Sequence, residues 1–170
     1  MKTTPLSFRH ELEKKEPRTS DGGTTRGASV TDFPASVGIP ISSTISGSII
    51  ELQPGALRQM HWHPNADEWQ YYISGQAEMS VFLAESTVIT EQFDAGDVGY
   101  VPMAAGHYIK NTGNTSCKIL IGFNSGTYHS IDLSKWLAGN PEDVVVTNFG
   151  LKDGEIEKFP TEKIFIQPKI

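Results

Sequence analysis

A series of short β-prone runs, each broken by turn residues, begins near residue 40 and restricts the fold more than any other feature. "TISGSIIELQPGA" alternates and stops at Pro54-Gly55. "LRQMHWH" follows, then a turn at "PNAD", then "EWQYYIS" and a turn at Gly75. "AEMSVFLA" and "TVITEQF" precede the turn "DAGD". "VGYVPM" comes next, and "HYIKNTGNTSCKILIGFN" supplies two strands around Thr112-Gly113-Asn114. Short strands at even spacing, with turn signals between them, predict an antiparallel sandwich or barrel. After residue 131 the period lengthens. "DLSKWLAG" puts Leu133, Trp136 and Leu137 at helical spacing, and Asn140-Pro141-Glu142-Asp143 has the form of a second helix start, with Asn140 as cap and Pro141 as first residue. "DGEIEKF" predicts a further short helix and "EKIFIQP" a closing strand.

The length of 170 residues suits one domain with a sizeable core. Residues 1–28, rich in Gly, Thr and Ser, read as an extended arm, 29–131 as the β-barrel, and 132–170 as a helical extension with its closing strand. A net charge of −6 argues against a nucleic-acid surface, because phosphate binding needs clustered Lys and Arg. No apolar run reaches the roughly 18 residues that a membrane span requires. The first residues lack the apolar stretch of a secretory signal, so a cytoplasmic protein is expected. Cys117 is the one cysteine, which excludes an internal disulfide, and it reads as a small buried residue.

One stretch concentrates chemistry. In "HWHPNADEW", residues 61–69, a strand places His61 and His63 on one face with Trp62 on the other. The turn at 64–67 lets Glu68, at the head of the next strand, come alongside the two rings. His107, on a later strand, can complete the set. Three neutral imidazoles and one carboxylate suit a divalent transition metal. A lone histidine is more often a surface or satisfied core residue, and His10 and His129 taken singly read that way. Trp62 and Trp69 read as core or interface aromatics. Val81, Phe82, Val101, Ile109 and Phe123 read as barrel lining.

"GALRQMHWHPNADEWQYYISG" (55–75) resembles the first motif of the cupins, and "GDVGYVPMAAGHYIKN" (96–111) resembles the second, with Gly96, Pro102, His107 and Asn111 in register. Ala104 stands where many cupins have glycine. Within the cupins the likeness is closest to oxalate decarboxylases, and it covers roughly residues 30–150. The resemblance implies a double-stranded β-helix, or jelly-roll barrel, with short C-terminal helices. It implies a manganese ion held by His61, His63, Glu68 and His107, a small carboxylate such as oxalate bound at that ion, dioxygen as a co-substrate or cofactor, and homo-oligomers. It also makes Arg58 the arginine that polarises the substrate carboxylate. Arg58 and His61 differ in strand parity, so this role requires a bulge near Gln59 or a strand that starts later. Tyr72 could reach the pocket floor as a substrate contact, and packing is an equal reading of it.

The resemblance departs at the lid, where the decarboxylases place a proton-donating glutamate. The matching stretch "ILIGFNSGTYHSIDLSKWL" (119–137) contains none. Tyr128, His129 and Asp132 are its proton carriers. His129 has a suitable ordinary pKa of about 6.5, and Asp132 is expected to cap the following helix. The candidate catalytic residues are thus Arg58, His129 and Tyr128. Three activities fit: an oxalate decarboxylase with His129 or Tyr128 in place of the lid acid, an oxalate oxidase, and a non-catalytic cupin that binds metal or carboxylate.

Overall fold

The computed structural model describes residues 8–33, 43–152, 154–160 and 165–170. Two antiparallel sheets face each other. The first runs in the order β1-β2-β3-β10-β5-β8, built from Arg18–Ser20 (β1), Gly23–Ala28 (β2), Ser46–Leu52 (β3), Cys117–Phe123 (β10), Glu68–Ser74 (β5) and Val98–Val101 (β8). The second runs β11-β4-β9-β6-β7, from Ile131–Asp132 (β11), Leu57–Trp62 (β4), Gly106–Asn111 (β9), Gln76–Phe82 (β6) and Val88–Asp94 (β7). Ile166–Gln167 (β12) also pairs with β4. This is the jelly-roll arrangement expected from the rhythm of strands and turns.

Period-two patterning explains why the sheets close on each other. Ser46, Ser48, Ile50 and Leu52 of β3 are buried, with more exposed residues between them, and Cys117, Ile119, Ile121 and Phe123 do the same in β10. The apolar residues of these two strands form one core with Tyr72, Val101 and Ile109. Of the expected lining residues, Val101, Ile109 and Phe123 are buried and Val81 packs partly against the core. Phe82 departs from expectation: it is 54% exposed at the end of β6, on the outer face that also carries Met60 and Val88. The β5–β6 turn depends on Gly75 at φ 82°, where a Cβ would meet Cys117 Cα at 2.7 Å.

The segment expected to be an arm contributes strands. β2 pairs with β3 along its whole length, from Gly23 opposite Leu52 to Ala28 opposite Gly47. Its small polar residues gave no hydrophobic signal, but backbone pairing needs none, and β2 covers what would otherwise be an open edge of β3. At the other end, Leu133–Ala138 (α1) matches the helical spacing, and its buried residue is Ser134, while Trp136 is 56% exposed. The second helix, Glu142–Phe149 (α2), begins one residue later than expected. Pro141 takes the cap position, while the Asn140 amide donates back to the Trp136 carbonyl. "DGEIEKF" yields a single 3₁₀ turn, Ile156–Lys158. Among the described residues no helix is long and apolar enough to cross a membrane.

Candidate metal centre

Strand pairing brings the four expected ligands together. His61 of β4 lies directly opposite His107 of β9. His63 follows β4 by one residue, and after the 64–67 turn Glu68 opens β5 in the facing sheet, paired there with Phe123 and Val101. All four side chains are buried, and one ligand atom from each lies within 4.8 Å of all the others.

Backbone carbonyls set the rings. Nδ1 of His61 lies 2.7 Å from the Gln59 carbonyl, Nδ1 of His63 2.6 Å from the His129 carbonyl, and Nδ1 of His107 3.1 Å from the Ala105 carbonyl. A carbonyl only accepts, so each Nδ1 carries its proton and donates. In a neutral ring, Nε2 then presents a lone pair. Nε2 of His63 and of His107 are both buried without a hydrogen-bond partner. They stand 2.9 and 3.4 Å from Glu68 Oε2. Lone pairs facing a carboxylate oxygen in a buried space repel unless a cation lies among them. The donor set therefore fits a divalent ion. Burial and the Arg58 charge hold the His61 ring well below its ordinary pKa, in the neutral form a ligand needs. Burial works against the charge on Glu68, but a proton carried by the adjacent His107 or His63 ring, whose place a bound cation would take, outweighs it and holds its carboxyl well below the usual range.

Glu68 is itself held. Gln70 Nε2 donates to Glu68 Oε1 at 2.6 Å, and the Tyr72 hydroxyl donates to Gln70 Oε1 at 2.7 Å. Of the two readings of Tyr72, the structure shows the packed one. It is fully buried, and its hydroxyl is turned to Gln70, two residues along the same face of β5. Gln70 escaped the sequence reading. Its position at two residues from Glu68, on the inward parity of β5, was the available signal.

Arg58 does face the site, through a bulge. The β4–β9 register shifts between Arg58 and His61, so both point inward although an even number of residues separates them. The Arg58 guanidinium donates to Asp132 Oδ1 and to Ser130 Oγ, each at 3.1 Å. Asp132 sits at the start of α1 but makes no side-chain cap there, because its carboxylate is engaged by Arg58. Arg58, His61, His63 and Glu68 line a cavity of about 20 Å³, with Tyr128, Thr25 and Phe165 at its outer side.

Tyr128 and His129 part company. The Tyr128 ring stacks on Phe123 at a centroid distance of 3.8 Å and meets His63 edge-on at 5.5 Å, facing the cavity. Burial pushes its hydroxyl pKa up, against the neighbouring Arg58. The His129 side chain is exposed and does not line that cavity. What His129 gives the site is the carbonyl that orients His63.

Comparison with known proteins agrees with this geometry. The family model described as cupin matches residues 10–157. The oxalate decarboxylase OxdC of Bacillus subtilis (strain 168) is 42% identical over 147 residues, covering 86% of this chain and 37% of that protein. An oxalate decarboxylase of Arthroderma benhamiae is 38% identical over 128 residues, covering 75% and 30%. A solved structure of the Bacillus subtilis decarboxylase, from work on its Mn(II) centres, superposes with a TM-score of 0.90 at 38% identity. It covers 98% of this chain and 43% of that one. The chain thus spans roughly a third of the length of the curated decarboxylases it matches. Sequence, barrel and ligand geometry converge on one conclusion: this chain belongs to the cupin family.

Proposed function

We propose that the chain binds one divalent metal ion, manganese by analogy with its relatives, through His61, His63, Glu68 and His107, and cleaves oxalate or a similar small carboxylate to formate and CO₂. The observation that carries this is the convergence of one ligand atom from each of three imidazoles and one carboxylate within 4.8 Å of one another, beside a buried arginine. When bound, the ion supplies a positive centre that neutralises a small dianion in an acidic protein. Dioxygen, as cofactor or co-substrate, belongs to the same proposal.

The side chains divide the remaining work. Arg58, braced by Asp132 and Ser130, offers a fixed guanidinium to a carboxylate in the cavity. The ring of Phe165 and the stacked pair Phe123 and Tyr128 exclude water. Cleavage of the oxalate dianion with uptake of one proton gives CO₂ and formate, and that proton arrives on carbon. Tyr128 is the proposed donor, since it lines the cavity and burial keeps its hydroxyl protonated. The exposed His129 ring is not so placed. Feeding oxalate to the manganese-loaded chain tests the reading: formate supports it, while absence of both formate and hydrogen peroxide would reduce the site to binding alone. Hydrogen peroxide in place of formate marks an oxidase, the outcome favoured if no group donates the proton.

Self-association belongs to this proposal too. Met60, Trp62, Phe82, Val88 and Leu133 line an apolar hollow of about 470 Å³ on the outer face of the second sheet, and a second copy is its proposed occupant.

A further inference from the structure

The inner cavity, at about 20 Å³, has room for about one water molecule. A four-oxygen dicarboxylate must therefore enter through a wall that yields. Two hollows adjoin the ligand residues. One is the apolar hollow, which reaches His61 and His107 from outside the second sheet. The other is a cleft of about 500 Å³, lined by Lys15, Arg18, Arg26, Tyr128, His129 and Phe165 among others. Thr25, Tyr128 and Phe165 line both this cleft and the inner cavity, so they are the partition between them.

Charge distinguishes the two approaches. Lys15, Arg18 and Arg26 line the cleft together with Glu16 and Asp32, a net excess of one positive charge in a chain whose net charge is −6, whereas no Lys, Arg, Asp or Glu lines the apolar hollow. Lys15 is engaged with Asp32 at 2.6 Å, and Arg26 Nε donates to the Lys15 carbonyl. Arg18 is differently placed. It is exposed, and its guanidinium lies over the Phe165 ring at 4.2 Å from the centroid. Arg58 lies over the same ring at 3.9 Å. Among the described residues no carboxylate stands within ion-pair distance of Arg18. One aromatic ring therefore joins an outer arginine, open to anions in solution, to the inner arginine of the metal cavity.

We propose that the cleft between the β1–β2 hairpin and residues 127–130 is the anion entrance to the metal site, with Arg18 as its outer carboxylate station and Phe165 as the partition between Arg18 and Arg58. This deepens the functional reading given above and rests on it for the identity of the substrate. Arg18 is a specificity-determining residue that never meets the reacting bond. It captures one carboxylate while the other end of a small dianion is still solvated, and displacement of the shared ring passes the anion inward to Arg58. Neutral ligands gain nothing from this station, and bulky ones do not clear the ring.

The test uses the full, manganese-loaded chain and reads anion arrival apart from turnover. Association of azide with the bound Mn(II), followed by stopped-flow or freeze-quench electron paramagnetic resonance, is compared for wild type, Arg18→Gln and Arg18→Lys. At low ionic strength Arg18→Gln is expected to slow azide association about threefold to tenfold. The difference should vanish in high salt, and Arg18→Lys should recover most of the rate. A merely structural role for Arg18 on Phe165 predicts no salt dependence and no rescue by lysine, and either result overturns the proposal. So does an unchanged rate in Arg18→Gln. If azide behaves as expected while oxalate yields neither formate nor peroxide, the entrance stands and the decarboxylase reading falls. Formate release with an Arg18-independent azide rate gives the reverse.

Discussion

At the scale of single residues, the side chains behind the metal ligands matter as much as the ligands. Gln70 occupies Oε1 of Glu68 and leaves Oε2 toward the rings, while Tyr72 fixes which way the Gln70 amide points. Removing such support costs metal sites about tenfold to a hundredfold in affinity. Tyr72→Phe and Gln70→Leu should therefore weaken manganese binding by about that range, as read by competition with a chelating dye. Arg58 and Asp132 are a buried ion pair. Arg58→Ala would leave the carboxylate buried without its charge partner, and destabilisation of about 3–5 kcal/mol is expected in urea unfolding. Ala104 is a smaller case. It holds φ 67°, a left-handed conformation that strains a residue with a Cβ, at the position where many cupins have glycine. Relief of about 1–2 kcal/mol in Ala104→Gly is partly offset by glycine's greater freedom in the unfolded chain. A gain in stability of under about 1 kcal/mol is expected, visible as a small rise in the urea midpoint.

At the scale of elements, the N-terminal hairpin is fastened through charge. Asp32 accepts from Lys15 Nζ at 2.6 Å and from the Ser29 backbone N–H at 2.8 Å. Burial opposes its ionisation, but these donors prevail, and its pKa lies below the ordinary value. A depressed folded pKa means that the contribution to stability is present above the unfolded value of about 4, and fades as pH falls through the folded one. The urea midpoints of wild type and Asp32→Asn should therefore differ at neutral pH and converge under acid. The hairpin also marks where the sequence could not be read. Strands β3 to β10 announced themselves by alternation and turns. β2 did not, because "GTTRGA" pairs through its backbone alone. The four ligands were legible because spacing and strand parity determine their face. The partners of Arg58 and Glu68 were not, because Asp132 lies 74 residues from Arg58 in sequence, and Gln70 looks like any polar strand residue until Glu68 is seen beside it. His129 shows a further gap, since a side-chain role was expected and the backbone carbonyl is what reaches the site.

At the scale of the whole molecule, a preset donor site couples metal binding to folding. Ligand that binds only the folded state adds stability as its concentration exceeds the dissociation constant, by about 2.7 kcal/mol at a hundredfold excess. Manganese should accordingly raise the thermal midpoint, a chelator should return it, and His107→Ala should abolish the difference. The apolar outer face makes a separate prediction: Met60→Glu should shift sedimentation toward the monomer without altering bound manganese.

The bulge in β4 reaches further than the placement of Arg58. By breaking step between Arg58 and His61, it lets the Gln59 N–H join Phe165 and turns the Gln59 carbonyl to the His61 ring. A variant shortened by one residue at Met60 would have the tidier strand and the weaker grip on a cation, because the imidazole would lose the anchor that decides which nitrogen it offers.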